Sequence, residues 1–242
     1  MPQSDHFFAL KAPHIVLRYT LSKLAARCRL VLIASPAGAN PATIDSIGKA
    51  MSGGDIASVL LARFDASEDA FRDWCEKAVP VIQAANAAAI VVDDTQGAGR
   101  AKADGIHISS GQDELAEAIS KFQHRMIVGV GEANSRHIAL EIGELQPDYL
   151  FIGRLDGDNQ PEPNPRSLEL AEWWASMIEI PCISMGGNVA ESAITVAQIG
   201  AEFVGISAAV FGKDLDPAAQ VAKINALLDE HAPELTEAAR EK

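Results

Sequence analysis

The feature that most constrains this chain is the regular return of short, almost wholly apolar segments rich in Val and Ile, each followed by a longer amphipathic stretch. Eight such segments occur, at residues 29–33, 56–63, 89–93, 105–108, 126–130, 149–153, 182–185 and 203–207. A strand wetted on one face alternates apolar and polar residues, whereas a parallel strand covered on both faces reads as a continuous apolar run. Strands alternating with helices give an α/β fold. Eight units of regular spacing in 242 residues predict a single-domain (β/α)8 TIM barrel, a fold of roughly 250 residues. An open doubly wound sheet is disfavoured by the first strand-to-helix turn, Ala34-Ser35-Pro36-Ala37-Gly38, which lacks the G-x-G-x-x-G dinucleotide fingerprint.

The barrel is expected to span residues 29–230. Residues 1–28 carry Tyr19, Leu21, Leu24 and Ala25 at helical spacing, which predicts an extra helix across the bottom of the barrel, and residues 231–242 read as a charged, frayed tail. Asn40 before Pro41, Ser67 before Glu68 and Asp69, Ser110 and Asn134 are candidate N-caps. Pro80 should kink or end the second helix. Trp173 and Trp174 read as core residues. Residues 154–165 have no apolar periodicity, and long irregular loops on compact scaffolds are commonly functional.

Composition narrows the function classes. A net charge of −13 argues against a nucleic-acid partner, because phosphate backbones are bound through basic surface. No apolar run reaches the roughly 18–20 residues that span a bilayer, and no basic region leads into an apolar signal segment, so a cytoplasmic protein with no membrane partner is expected. Cys28, Cys75 and Cys182 lie far apart in apolar surroundings and read as reduced core residues. A homo-oligomer is compatible with the sequence and is not specified by it.

In a barrel of this kind the C-terminal tips of the strands form the site. Strand seven ends in Gly186-Gly187, where backbone N–H groups can approach an anion, and strand eight ends in Ile206-Ser207 before small residues that open a helical turn. Gly186, Gly187, Ile206 and Ser207 are therefore candidate phosphate-binding residues, and the ligand class is a small phosphorylated substrate. Two glycines alone would also suit a tight turn; the agreement of both tips favours phosphate. Strand three ends in Asp93-Asp94, and Asp113 follows strand four. These hard oxygen donors suit Mg²⁺, although Asp113 also suits the first turn of a helix, and both readings stay open. Arg63, the basic residue at the end of strand two, can grip a phosphate bidentately or pair with Asp65 or Asp94. His107, lone among apolar neighbours, reads as structural.

Taken in order, the segments Ala103-Asp104-Gly105-Ile106-His107-Ile108 with Gly111-Gln112, Val128-Gly129-Val130, Pro147-Asp148-Tyr149-Leu150-Phe151-Ile152-Gly153, Met185-Gly186-Gly187 and Gly200-Ala201-Glu202-Phe203-Val204-Gly205-Ile206-Ser207 resemble thiamine phosphate synthase. The resemblance implies a (β/α)8 transferase of thiamine biosynthesis. Such an enzyme joins hydroxymethylpyrimidine diphosphate to thiazole phosphate and releases pyrophosphate with Mg²⁺. By position it implies that Arg63 contacts the diphosphate, that Asp94 holds the metal with Asp93 before it in the catalytic set, where the family has Asn, that Asp113 is the second metal ligand if two extra residues are allowed after Ile108, and that Gly187, Ile206 and Ser207 hold the thiazole phosphate. The chain departs from the pattern at Asp65, where the family has lysine, at Gly131, where it has serine, and in the 154–165 loop, which contains no Thr and no Lys. Asp156, Asp158 and Glu162 there would repel a diphosphate unless a metal, Arg154 or Arg166 compensates. The alternative function is a non-catalytic or diverged barrel that binds a small phosphorylated ligand.

Overall fold

The structure is a computed structural model and describes residues 27–131 and 133–235. Eight parallel strands close on themselves in sequence order: β1 (Arg29–Ala34), β2 (Ser58–Leu61), β3 (Ala88–Val92), β4 (Gly105–Ile108), β5 (Ile127–Val130), β6 (Tyr149–Ile152), β7 (Cys182–Met185) and β8 (Phe203–Ile206). β8 returns to pair with β1, with Leu32 beside Ile206. The helices are α1 (Ile44–Ser52), α2 (Glu68–Ala84), α3 (Thr95–Ala101), α4 (Gln112–Phe122), α5 (Arg136–Glu144), α6 (Pro165–Met177), α7 (Ser192–Gln198), α8 (Ala208–Phe211) and α9 (Pro217–His231). The expected helix before residue 27 lies outside the described residues.

Strand side chains alternate between two buried layers, which is why the sequence shows runs rather than alternation. Val31, Ile33, Leu60, Ile90, Phe151 and Ile183 fill the barrel, while Leu30, Leu32, Val59, Val91, Leu150 and Val204 pack outward against the helices. Gly129 is required inside: a Cβ there would collide with the ring of Tyr149. Trp174 is fully buried with its Nε1 donating to the Ile180 carbonyl at 2.8 Å, as a core residue should be. The three cysteines are buried free thiols, and burial pushes the Cys75 thiol up to about 12, far from thiolate chemistry at neutral pH.

A repeated device ties the N-terminal ends of the strands. The carboxylate just before β4, Asp104, accepts the Ala89 N–H of β3 at 2.8 Å. Asp148, before β6, accepts the Val128 N–H of β5 at 2.8 Å, and Glu202, before β8, accepts the Cys182 N–H of β7 at 2.9 Å. Each links an even strand to the odd strand preceding it, at the end of the barrel that carries stability rather than chemistry.

Several local expectations are corrected. The first helix is capped by Thr43, which accepts the Ser46 N–H at 3.0 Å, three residues beyond Asn40. Gly111 and Ser135, rather than Ser110 and Asn134, stand at the caps of α4 and α5. Of the two outcomes expected at Pro80, the helix does not end there but continues to Ala84. Ser67 caps it as anticipated, accepting the Ala70 N–H.

Candidate active site

Arg63 and Phe64 leave the β2 tip exposed, with Phe64 at φ 45°. Asp93, at φ 50° beyond β3, accepts hydrogen bonds from both the backbone N–H (2.8 Å) and the hydroxyl of Ser109 on the next tip. It also lines a cleft of about 230 Å³ with Ser110 and Glu114, in which Asp113 has no part.

Asp94 turns the other way. It caps α3, and Arg72 of α2 holds its carboxylate through two hydrogen bonds of 2.7 and 3.1 Å. Burial alone would raise this carboxyl, but the Arg72 guanidinium and the Gly97 N–H outweigh it and hold the group below the ordinary aspartate range. Asp113 is exposed in the first turn of α4. Among the described residues no three His, Cys, Asp or Glu side chains are grouped to hold a metal ion. The structure therefore does not bring Asp93, Asp94 and Asp113 into one preformed Mg²⁺ centre.

The β7 and β8 tips do come together. Gly186 donates its N–H to Gly205 at 2.9 Å, and Gly187 donates to the Ser192 hydroxyl at 2.9 Å. Ile206 faces the helices and packs so tightly on Gly186 that a Cβ there would lie 2.6 Å from its Cδ1, so Ile206 can offer a ligand only backbone. The N–H groups of Ser207 and Ala208 converge on one point, where both donate to Oδ2 of Asp158 from the loop after β6, the first at 2.8 Å. Burial raises the Asp158 carboxyl above its ordinary range although both backbone donors pull it down. Beside this contact lies a cleft of about 660 Å³ lined by Asn134, Arg154, Asn159, Asn164, Arg166 and Met185, among others.

His107 points into the barrel, fully buried, with Nδ1 2.9 Å from the Tyr149 hydroxyl. Among the described residues Nε2 has no hydrogen-bond partner, and neither has the buried Ser184 hydroxyl. Burial lowers the imidazole to about 4, against a small opposing pull from Asp93, so the ring is neutral at physiological pH.

With this mouth in view, the relatives are informative. Residues 30–210 match the sequence pattern of the family described as thiamine monophosphate synthase. The chain belongs to the thiamine monophosphate synthase family. It is 34% identical over 202 residues to a thiamine-phosphate synthase of Rhodospirillum centenum, covering 83% of this chain and 98% of that protein. It is 30% identical over 210 residues to one from Hyphomonas neptunium, covering 84% and 95%. The fold is similar to that of a thiamine phosphate pyrophosphorylase from Pyrococcus furiosus, with a TM-score of 0.72 at 19% identity over 86% of this chain and 98% of that one. Within this fold the β7 and β8 tips lie side by side, but the N–H groups of Gly186 and Gly187, expected to face an anion, donate instead to Gly205 and Ser192. Sequence reading missed Arg72, Ser192 and the burial of Asp158. Arg72 lies 22 residues from Asp94, a separation that no local pattern links, whereas the acidic character of the 154–165 loop was visible without revealing where it goes.

Proposed function

We propose that this chain is a transferase of thiamine biosynthesis that joins hydroxymethylpyrimidine diphosphate to thiazole phosphate and releases pyrophosphate. One observation carries the reading: at the mouth, the paired N–H groups of Ser207 and Ala208 already hold an anionic oxygen. A site that stabilises a carboxylate this way suits a phosphate oxygen equally. Gly186 and Gly187 let the β8 tip and the loop after β6 pack directly against the β7 tip, where a Cβ would meet Ile206 and the Pro161 carbonyl. Arg63, exposed at the β2 tip, supplies positive charge for the diphosphate, and Asp93, at the β3 tip, is the polar group that orients the pyrimidine side of the mouth.

In the reaction the C–O bond to the diphosphate breaks, and the thiazole nitrogen forms a C–N bond to the pyrimidine methylene carbon. The electron pair leaves with pyrophosphate. Catalysis then lies in positioning the two substrates and stabilising the leaving group. A Mg²⁺ ion would supply positive charge for the leaving pyrophosphate and would have to be held chiefly by substrate, with the exposed Asp113 and, once released from Arg72, Asp94 as its protein ligands. The absence of a membrane-spanning helix among the described residues and the buried thiols support a cytoplasmic setting.

The pairing of Asp94 with Arg72 favours a second reading, a diverged barrel that binds a phosphorylated ligand without turnover. Formation of thiamine phosphate by the purified protein from both substrates supports the transferase. Ligand binding with no product above the uncatalysed rate supports the binder.

A further inference from the structure

The loop after β6 runs back into the mouth. Asp158 is only 4% exposed, and its Oδ2 accepts from the backbone N–H groups of both Ser207 and Ala208. Two residues on, the Gln160 carbonyl accepts the Asn188 N–H at 2.8 Å. The Pro161 carbonyl lies so close over Gly187 that a Cβ there could not be accommodated. Three backbone donors of the β7 and β8 tips are thus satisfied by atoms of residues 158–161. One carboxylate oxygen, accepting from Ser207 and Ala208, and one carbonyl oxygen, accepting from Asn188, occupy these donors.

Burying a carboxylate is costly unless hydrogen bonds to the charged form offset it. Here the N–H groups of Ser207 and Ala208, which the phosphate reading assigns to a ligand, supply most of that offset, with a lesser contribution from the backbone of Asp158 itself. The segment is otherwise lightly held: it has no regular secondary structure between Gly153 and Pro165, Gly153 opens it at φ 121°, and Arg154 and Asp156 at its start are exposed.

We propose that Asp158 is the internal occupant of the phosphate cradle and sets its affinity: a phosphate monoester binds by displacing the Asp158 carboxylate and lifting residues 158–161 from the β7–β8 tips. The inference rests on the reading of those tips as a phosphate cradle. The cradle is open in only a fraction of molecules, so apparent affinity falls in proportion to that fraction. Asp158 thereby acts as a specificity residue, disfavouring weak or singly charged anions that cannot outcompete it.

The test is calorimetric titration of the full chain with inorganic phosphate and with thiazole phosphate, in the native protein, Asp158→Ala and Asp158→Asn. Asp158→Ala should bind both ligands at least about tenfold more tightly than the native chain, with Asp158→Asn between them. Equal or weaker binding in Asp158→Ala overturns the inference and leaves the cradle reading standing. No phosphate binding in any of the three proteins overturns the cradle reading itself. A readout on the native chain avoids dependence on how the variants fold: saturating thiazole phosphate should speed tryptic cleavage after Arg154. Binding with no change in that cleavage rate contradicts displacement.

Discussion

Arg72 holds Asp94 by both carboxylate oxygens, Nε to Oδ2 at 2.7 Å and Nη2 to Oδ1 at 3.1 Å, while Oδ1 also accepts the Gly97 N–H at 2.8 Å. The pair is largely shielded, with side chains 16% and 11% exposed, and it locks α2 to the start of α3. Asp94→Ala should lower stability by about 1–3 kcal/mol through loss of the cap and of the charge-assisted bonds. Because the folded carboxyl is held below its unfolded value, this contribution is present above the unfolded value of about 3.9 and is lost as pH falls through the folded one. Urea midpoints of Asp94→Ala, Arg72→Leu and the double variant should show non-additive losses; strictly additive losses would contradict the pairing.

His107 gives a second pH signature. Its ring titrates at about 4 when folded, against an ordinary value of 6.5, because burial opposes the charged form. Between these values the unfolded chain binds a proton that the folded chain does not, so stability falls as pH drops from 6.5 to 4, by about 3 kcal/mol in all. Denaturation at pH 7 and pH 4.5 should show a steeper acid loss in the native protein than in His107→Gln. Equal losses would place the ring in water rather than in the barrel.

Gly129 and Tyr149 occupy neighbouring strands, and the tyrosine ring fills the space a side chain at 129 would need. Gly129→Ala should cost about 3 kcal/mol or more, since neither the ring nor the strand can move freely in a filled barrel. A thermal melt within a degree of the native protein would contradict this packing.

Glu202 accepts the Cys182 N–H at 2.9 Å from a buried position. Glu202→Ala should destabilise by about 1–3 kcal/mol by leaving that donor unsatisfied, without altering substrate affinity, because the contact lies at the barrel end opposite the mouth. A selective rise in KM at unchanged stability would move Glu202 into the site.

The eight strands were legible because a strand buried on both faces leaves an apolar run that nothing else in the chain imitates; β4 and β7 match their sequence boundaries, and the others differ by at most two residues at an end. The acidic residues in the Ala-Asp-Gly, Pro-Asp-Tyr and Ala-Glu-Phe segments were visible too, but only the closed barrel reveals that Asp104, Asp148 and Glu202 bind neighbouring backbone rather than substrate. Caps were less legible. Asn40, Ser110 and Asn134 have the right chemistry, yet Thr43, Gly111 and Ser135 hold the positions, because the loop's path and not the residue type decides where a helix begins. In the sequence Asp158 is one of three loop carboxylates that would repel a diphosphate, with nothing local to show that it is buried. Its partners Ser207 and Ala208 lie about 50 residues further along, and only the closed loop brings them together.

Arg63 separates function from fold. It is exposed at the β2 tip, so Arg63→Ala should leave the denaturation midpoint nearly unchanged, within about 0.5 kcal/mol. Turnover should drop by about 100-fold as diphosphate stabilisation is lost. Full activity in this variant would remove Arg63 from the site.

The most direct test of the proposed reaction is the rate of pyrophosphate release by the native chain with Mg²⁺, measured with both substrates and with each omitted in turn. Release that requires hydroxymethylpyrimidine diphosphate and thiazole phosphate together, matched mole for mole by thiamine phosphate, is the result expected of a transferase that couples bond breaking to C–N bond formation. Release from the diphosphate alone at the same rate, or none with both substrates present, would contradict it.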